Sequence, residues 1–183
     1  MSNLNDWDSY VSANNAAMAA LGRTELLQIL DLLRDTRAKS GTLWVLGNGG
    51  SASLASHSVA DFSKTAQGLG SNPLRTLAPS EMVALQSAFS NDTSFEYGLT
   101  STLDMYLGLD DSILVFSVSG KSPNLLNAIN LAKSKGVGIA AVVGKAAQDL
   151  ESECDVVLSI ASGDYQIVEN VQLAVMHWLT KNL

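Results

Sequence analysis

Two turns rich in glycine and serine are the parts of this chain best suited to bind an anion. The first, Gly47-Asn-Gly-Gly-Ser51, follows the apolar run 42–46, and the second, Ser117-Val-Ser-Gly-Lys-Ser122, follows an apolar run that begins at Ser112. A buried strand that leads into such a turn at a helix start exposes backbone N–H groups and hydroxyls, and the helix N-terminus adds partial positive charge. Two such turns in one small chain predict a phosphorylated ligand held between them.

Neither turn is a nucleotide-binding loop of the common kinds. The first lacks the Lys-Ser/Thr pair of a P-loop and the third glycine of a dinucleotide fingerprint. A tight turn between strand and helix also explains it, and Ser122 before Pro123 is also explained as a helix cap. Three serines around Gly120, however, exceed what a cap needs, which favours a ligand. They are Ser117, Ser119 and Ser122.

The two histidines of the chain each have a carboxylate within reach along the sequence. Asp61 follows His57 by four residues, so both side chains lie on one helix face, near a ligand of the first turn. Glu169 precedes His177 by two turns, with an angular offset of about 80° at roughly 3.6 residues per turn, so the two need not share a ligand. A surface His–Asp pair and a hydrogen-bonded core histidine explain the same spacings without any chemistry. The spacing alone leaves both explanations open.

Strand and helix patterns alternate after an N-terminal helical region. That region runs from Asp8 to roughly Lys39, with a break at Gly22 and a new start at Thr24. A glycine-rich loop covers 67–73, and Gly136 ends a helix as a C-cap. The predicted strands are 42–46, 74–77, 112–118, 138–143 and 155–160. The later predicted helices are 52–64, 81–89, 95–107, 123–135, 146–153 and 167–183, with 90–93 separating the second from the third.

This alternation predicts an α/β fold, a three-layer sandwich whose parallel sheet carries helices on both faces. The strands are continuous apolar runs, as expected when both faces are covered. Ligands of such sheets bind beyond the carboxyl ends of the strands, which is where both turns lie. A length of 183 residues fits one domain, and we expect 1–183 to form it, with about 1–40 as a helical extension.

Composition excludes several classes of partner. The net charge is −7 and no basic stripe is present, so direct nucleic-acid binding is not expected. Charged residues make up only 16%, which suggests helical surface buried against other subunits. Cys154 is the single cysteine, so there is neither an intrachain disulfide nor a cysteine metal cluster, and it is expected to serve packing. The N-terminal residues do not resemble a signal peptide and no apolar run is long enough for a membrane span, so we expect a cytoplasmic protein.

The pair of turns resembles the sugar isomerase (SIS) domain family, and within it the phosphoheptose isomerase branch, which includes the DnaA initiator-associating proteins. The likeness covers nearly the whole chain and implies a five-stranded parallel sheet in flavodoxin-like order and a homotetramer. It implies that the turns contact a sugar phosphate and that an Asn-Asp segment faces the sugar. The residues so implicated are Asn48, Gly49, Gly50, Ser51, Ser117, Ser119 and Ser122 in the turns, and Asn91 and Asp92 in the segment.

The resemblance also assigns roles to the histidines and carboxylates. His57 matches an active-site histidine and His177 the C-terminal catalytic histidine, while Asp61 stands where the isomerases place a catalytic glutamate. An aldose–ketose isomerase moves a proton between adjacent carbons, so a carboxylate takes the proton while an acid supplies one to the carbonyl oxygen. This implies Asp61 as the base and His177 as the acid that also helps open the ring. An enediol(ate) would form between the two steps.

A metal is the alternative use of the same side chains. Some members of the family hold zinc at the matching positions, so His57, Asp61, Glu169 and His177 form a candidate metal set. Two imidazoles and two carboxylates suit zinc or a similar divalent ion. No nucleotide cofactor is expected. The sequence leaves open whether these side chains bind a metal or transfer protons.

The chain departs from the family at the end where the chemistry takes place. Asp61 is shorter than the glutamate it replaces by one methylene, roughly 1.5 Å. Glu169 stands where a glutamine is usual, Gln166 replaces an acidic residue, and Val118 replaces a common threonine. We therefore carry two functions forward. The first is a sugar-phosphate aldose–ketose isomerase similar to sedoheptulose 7-phosphate isomerase. The alternative is a non-catalytic SIS module that binds a sugar phosphate or docks on DnaA.

Overall fold

One parallel sheet organises the chain, in a computed structural model that describes residues 6–65, 72–145 and 147–183. Its strands are β1 (Thr42–Leu46), β2 (Arg75–Leu77), β3 (Ser112–Ser117), β4 (Gly138–Gly144) and β5 (Val156–Ile160). They lie in the order β2-β1-β3-β4-β5, and every neighbouring pair is parallel. This is the flavodoxin-like order. The predicted α/β fold with a five-stranded parallel sheet is confirmed.

Helices cover both faces of this sheet. They are α1 (Trp7–Ala19), α2 (Arg23–Ala38), α3 (Gly50–Ala60), α4 (Val83–Asp92), α5 (Phe95–Tyr106), α6 (Pro123–Lys135) and α7 (Tyr165–Asn182). Short 3₁₀ turns at Pro79–Glu81 and Gln148–Ser152 complete the connections. Within the described ranges, no helix combines the length and the apolar character needed to cross a membrane.

The residues of β1 show why its strand pattern is a continuous apolar run. Leu43 and Val45 pack into a buried cluster with α2, α3 and α7, whereas Trp44 and Leu46 pack into a second cluster with α5 and α6. Successive side chains point to opposite faces of a sheet. Because both faces are covered, every residue of β1 is buried. The two cores fix the strand ends from which the glycine-rich turns start.

The N-terminal extension is tied to the last helix. The Asn170 amide on α7 donates to the Tyr10 hydroxyl at 2.5 Å and to Asn14 Oδ1 at 3.0 Å, and both partners lie on α1. The break predicted at Gly22 is confirmed, since Gly22 is the N-cap of α2. Gly136 ends α6 with φ of 70°, which also confirms its role as a C-cap glycine.

Three predicted helix boundaries were wrong. The helix predicted over 81–89 starts at Val83 and continues to Asp92, because Thr93 still bonds back to the Phe89 carbonyl through its N–H and its hydroxyl. The predicted separation at 90–93 is therefore mostly helix. Residues 148–152 form a 3₁₀ turn where an α-helix over 146–153 was predicted. The predicted loop 67–73 falls largely outside the described residues.

The third correction lies beside the candidate site. The helix predicted over 52–64 begins at Gly50, and its regular α-helical part ends at Ala60. A π-helical turn, Asp61–Thr65, follows directly. A π turn holds one more residue per hydrogen-bonded ring than an α-helix and is frequent at functional sites. Asp61 is the first residue of this turn, and its own backbone is still α-helical, with φ of −74° and ψ of −48°.

Candidate active site

The first glycine-rich turn is built from backbone that only glycine tolerates. Gly49 has φ of 55° and ψ of −124°, a conformation that L side chains rarely adopt. A Cβ on Gly47 would collide with the backbone of Ser51, and a Cβ on Gly50 would collide with the Glu169 carboxylate. Gly49 has no side chain to cap α3, so the N–H groups of Gly50 and Ser51 are left for a ligand, whereas that of Ala52 already donates to the Gly49 carbonyl. This arrangement suits a phosphate.

The second turn orders its hydroxyls around Gly120, whose φ is 65°. The Ser117 hydroxyl accepts from the Gly120 N–H at 3.0 Å, and the Ser119 hydroxyl accepts from the Lys121 N–H at 3.3 Å. Ser122 is the N-cap residue of α6, but its side chain makes no capping hydrogen bond. Capping therefore does not account for the Ser122 hydroxyl in this structure.

A buried amide pair that sequence reasoning missed joins the two turns. Asn48 Nδ2 donates to Asn124 Oδ1 at 2.9 Å, and Asn124 Nδ2 donates to Asn48 Oδ1 at 2.8 Å. Asn124 is only 1% exposed. The only signal in the sequence is a polar residue directly after Pro123 at a helix start. The pair holds the turns in a fixed relation and commits the Asn48 amide to this contact.

The two turns line one cavity of about 300 Å³. Tyr165 and Glu169 of α7 close its side, and Phe116 and Val118 complete it. The structure thus brings together all the predicted loop residues, which are Asn48, Gly49, Gly50, Ser51, Ser117, Ser119 and Ser122. That these residues bind phosphate remains a prediction.

The predicted Asn-Asp segment does not line this cavity. Asn91 and Asp92 are exposed at the end of α4, where the Asn91 amide donates to Asp92 Oδ1 at 2.9 Å. Their neighbour Ser90 lines an adjoining cavity of about 380 Å³, which shares Asn48 and Gly49 with the loop cavity. A role for Asn91 and Asp92 in facing the sugar remains a prediction.

A carboxylate lies between two imidazoles at the far end of α3, and of these three residues only His57 lines the cavity that adjoins the loop cavity. Asp61 Oδ1 is 3.7 Å from His57 Nε2, and Asp61 Oδ2 is 3.6 Å from His177 Nε2. The two imidazole rings meet edge to face, with centroids 5.3 Å apart. The side chain of His177 is 47% exposed, so it is not a buried core histidine. Asp61 also contacts a histidine 116 residues away, so its role goes beyond pairing along one helix.

These three residues fit a divalent metal ion by their donor set. One ligand atom from each of His57, Asp61 and His177 lies within 4.8 Å of the others. Tetrahedral ligands at about 2.1 Å from zinc lie roughly 3.4 Å from each other, which is close to the two His–Asp distances. Two nitrogens and one oxygen are ligands that zinc accepts.

Glu169 stands outside that group of three in the structure. It lines the loop cavity and also a neighbouring cavity of about 240 Å³ that contains His57. Only Glu169 and Gly50 are common to the linings of these two cavities. Its carboxylate therefore lies between the anion-binding turns and the imidazoles. Its assignment as a metal ligand remains a prediction.

Gln172 is a second buried residue that sequence reasoning missed. It is 0% exposed, and its Nε2 donates to the carbonyls of Val142 at 2.8 Å and Ser117 at 3.3 Å. It thereby holds the end of β3 where the second turn begins. Its Oε1 is buried without a hydrogen-bond partner among the described residues. A polar residue on the apolar face of α7, next to Val171, was the available signal.

A flavodoxin-like sheet with two glycine-rich turns at its carboxyl ends is the arrangement predicted for a SIS domain, and sequence comparison agrees. The profile of the SIS domain matches residues 6–144. The chain belongs to the SIS domain family.

Its curated relatives include phosphoheptose isomerases. One from Campylobacter jejuni (serotype O:6, strain 81116) is 31% identical over 153 residues, which are 81% of this chain and 80% of that protein. Phosphoheptose isomerase 1 of Campylobacter jejuni (serotype O:2) is 28% identical over 178 residues, 95% of this chain and 92% of that protein.

Solved structures agree on the fold. A phosphoheptose isomerase from Francisella tularensis superposes with a TM-score of 0.87 at 23% identity, covering 100% of this chain and 98% of that one. The enzyme of that name from Neisseria gonorrhoeae gives a TM-score of 0.84 at 20% identity, covering 93% and 90%.

Proposed function

We propose that this chain is a sugar-phosphate isomerase of the phosphoheptose isomerase type, acting on a ketose phosphate such as sedoheptulose 7-phosphate. The observation that carries the proposal is the junction at Gly50 and Glu169. There, the cavity of the two anion-binding turns adjoins the cavity that contains His57. The relatives named phosphoheptose isomerase support the same reaction class.

The phosphate end of the substrate binds first in this scheme. The N–H groups at the start of α3 and the hydroxyls of Ser51, Ser119 and Ser122 receive the dianion. Anchoring the phosphate fixes the distance from it to the carbonyl carbons, so that the reacting end is held near the imidazoles. Positioning of this kind lowers the entropic part of the barrier.

The proton moves at the other end. Asp61 takes the proton from the carbon next to the carbonyl, and His177 supplies one to the carbonyl oxygen and helps open the ring. Both imidazoles lie within 3.7 Å of the Asp61 carboxylate, so a proton that Asp61 takes from the substrate stays close to a histidine that can accept it. The enediol(ate) collapses when Asp61 returns the proton to the neighbouring carbon and His177 takes up the hydroxyl proton of the first carbon, which becomes the new carbonyl and restores both groups.

A divalent ion is part of the proposal as an alternative arrangement of the same residues. His57, Asp61 and His177 would hold it, with Glu169 as a further candidate ligand. When bound, such an ion polarises the substrate oxygens. If only His57, Asp61 and His177 hold the ion, Glu169, which lines the loop cavity, is the carboxylate left to face the substrate carbon.

A homotetramer and a cytoplasmic location belong to the same proposal. Large apolar side chains stand exposed on the helices, which supports burial against further copies of the chain. Trp7 is 74% exposed, Val83 69% and Phe95 63%. The sequence pattern favours the cytoplasm.

The second candidate is a non-catalytic module that binds a sugar phosphate or docks on DnaA. One observation favours it: Asp61, already shorter than the family glutamate, directs both of its carboxylate oxygens at imidazoles. In this arrangement the turns would bind the phosphate without proton transfer.

Deuterium exchange separates the two candidates. The protein is incubated with sedoheptulose 7-phosphate in deuterated water, with and without zinc, and label next to the carbonyl is followed by NMR. An isomerase incorporates deuterium, and Asp61→Ala does not. If no label enters from heptulose, pentulose or hexulose phosphates while phosphate still raises the melting temperature, the protein is the binding module.

A further inference from the structure

A further cavity, lined in part by two arginines, lies at the end of the parallel strands opposite to the glycine-rich turns. It has a volume of about 380 Å³. Gly41 precedes β1 and Arg75 begins β2, so the cavity lies at the amino ends of these strands, whereas both glycine-rich turns follow carboxyl ends. We call it the arginine cavity. Its lining is Arg37, Ser40, Gly41, Asn72, Pro73 and Arg75.

The charge of the arginine cavity is unusual for this chain. The protein has a net charge of −7 and four arginines, two of which line this one cavity, and its lining contains no acidic residue. The nearby Asp111 carboxylate is committed elsewhere, to the Thr42 N–H at 2.7 Å and to the Trp44 indole at 3.0 Å. Asp35 pairs with Lys39 at 2.9 Å. Two guanidinium groups therefore face the cavity without a carboxylate in its wall.

The hydrogen bonds of the two arginines are incomplete. Arg37 Nη1 is buried and has no hydrogen-bond partner among the described residues. Arg75 donates through Nη2 to the carbonyl of Ser40. A buried donor left unpaired loses its interaction with water and gains nothing in return. One guanidinium nitrogen of the cavity lining is thus left without an acceptor among the described residues.

The end of α2 does not supply the missing acceptor. Its last carbonyls point towards this region, but those of Asp35, Thr36 and Arg37 accept from the N–H groups of Lys39, Gly41 and Ser40. The carbonyl of Ser40 accepts from Arg75. Each of these oxygens already accepts one hydrogen bond, and none of them accepts from Arg37 Nη1.

We propose that the arginine cavity is a second oxyanion site, which takes inorganic phosphate or the phosphate group of a small monoester. Guanidinium groups present several N–H donors in one plane and match the oxygens of a phosphate in pairs. The volume exceeds that of a phosphate group alone, which leaves space for a small organic substituent. The site is distinct from the loop cavity and does not depend on the proposed isomerase activity.

Selective chemical modification tests the site in the unaltered protein. Phenylglyoxal labels accessible arginines, and mass spectrometry maps the labels with and without inorganic phosphate. The described lining of the loop cavity contains no arginine, so phosphate bound in that cavity does not change the labelling. We expect phosphate to slow labelling of Arg37 and Arg75 several-fold and to leave Arg34, which bonds the Asn182 carbonyl, unaffected. Equal labelling of all of these with and without phosphate overturns the proposal.

Calorimetry with variants gives the matched test. Wild-type protein is expected to bind two phosphates per chain, and Ser119→Ala with Ser122→Ala weakens only the loop site. Arg37→Gln should weaken phosphate binding in the arginine cavity by at least about tenfold, since a hydrogen bond to a charged group contributes about that factor to affinity. Arg34→Gln on the same helix is the control and should bind as wild type. A folded Arg37→Gln, Arg75→Gln variant that keeps both sites contradicts the proposal.

The source of the anion follows from one comparison. Glycerol 3-phosphate and inorganic phosphate are titrated into the Ser119→Ala, Ser122→Ala protein, where the arginine cavity dominates. Tighter binding of the ester identifies a site for a phosphorylated metabolite, and tighter binding of the free ion identifies a phosphate site. Failure of both ligands to bind this protein overturns the site, whatever the outcome of the isomerase assay.

Discussion

The two halves of the candidate active site are made in different ways. At the proposed phosphate end, glycines position the backbone N–H groups and short hydroxyls. Gly49 and Gly120 make these turns possible because they adopt positive φ values of 55° and 65°. At the other end, Asp61 and His177 are brought together from the π turn after α3 and from α7 by packing of distant segments. The first half depends on local chain geometry, whereas the second depends on tertiary structure and on the length of side chains.

This difference explains why sequence changes concentrate where they do. A phosphate turn tolerates the exchange of residues that contribute only backbone, such as Val118, because the N–H groups remain in place. A carboxylate that must reach a carbon atom does not tolerate a change of length without compensation. The turns carry the motif pair on which the family resemblance rests, and the altered residues Asp61 and Glu169 lie at the proposed catalytic end.

Removal of the Asp61 carboxylate should have the largest effect. We expect Asp61→Ala to reduce deuterium exchange and turnover on the order of a hundredfold to ten-thousandfold, the usual contribution of a general base. The phosphate turns are separate, so the shift in melting temperature caused by phosphate should stay within about a degree of the wild-type shift. Exchange at the wild-type rate in Asp61→Ala would show that another group, with Glu169 first in line, is the base.

Gly50→Ala probes the junction between the halves. A Cβ at this position would collide with the Glu169 carboxylate, so Glu169 must move. A displacement of about 1 Å costs roughly a hundredfold in rate, and we expect kcat/KM to fall by about that factor. Gly163→Ala is the matched control, because no atom lies within 4 Å of the added Cβ. If Gly50→Ala and Gly163→Ala show the same steady-state kinetics, Glu169 has no part in the reaction.

Asn124→Ala tests how firmly the two turns are joined. It leaves the Asn48 amide without its partner, so we expect the free energy of unfolding to fall by about 1–3 kcal/mol. KM should rise more than kcat falls, since phosphate binding depends on both turns. Asn127→Ala on the same helix removes only an exposed bond to the Glu96 carbonyl and serves as the control. If the two variants match in urea denaturation and in kinetics, the Asn48–Asn124 pair does not couple the two turns.

Cys154 should have the smallest effect on activity, because it lies far from both halves. Burial, followed by the charges of Asp155 and Glu153, raises the pKa of its thiol to about 12. At pH 8 the thiolate is then about a thousandfold rarer than in a free cysteine, so alkylation should be slow in proportion. The native state holds this proton more tightly than the unfolded state, so stability falls as the pH rises above 9, the ordinary thiol value. Rapid alkylation of Cys154 in the folded protein at pH 8, measured by mass spectrometry, would contradict the raised pKa.

The sequence predicted the sheet and the turns because both depend on local pattern. The apolar runs of β1 and β3 and the glycines that follow them specify a buried strand and a positive φ within about ten residues. The joining of Asn48 to Asn124 and the burial of Gln172 were not predictable in this way. Each depends on a contact between residues at least 30 apart in the chain, and the spacing of residues carries no record of such contacts.

The extended helix α4 and the π turn escaped prediction for another reason. Ser90 and Asn91 favour turns in isolation, but the hydrogen bonds from Thr93 to Phe89 continue the helix past them. A π turn has no distinct pattern of residue types, since it differs from an α-helix only in which carbonyl each N–H meets. The spacing predicted that Asp61 faces His57, whereas its contact with His177 depends on tertiary packing that the sequence does not record.

The place of Asp61 on its helix changes how the exchange of glutamate for aspartate should be judged. Its φ of −74° and ψ of −48° are α-helical, and the π turn runs on from it. The main chain at this position therefore offers no extra length to make up for the lost methylene. Both imidazoles nevertheless lie within 3.7 Å of the shorter carboxylate, so restoring a glutamate here would have to displace one of them.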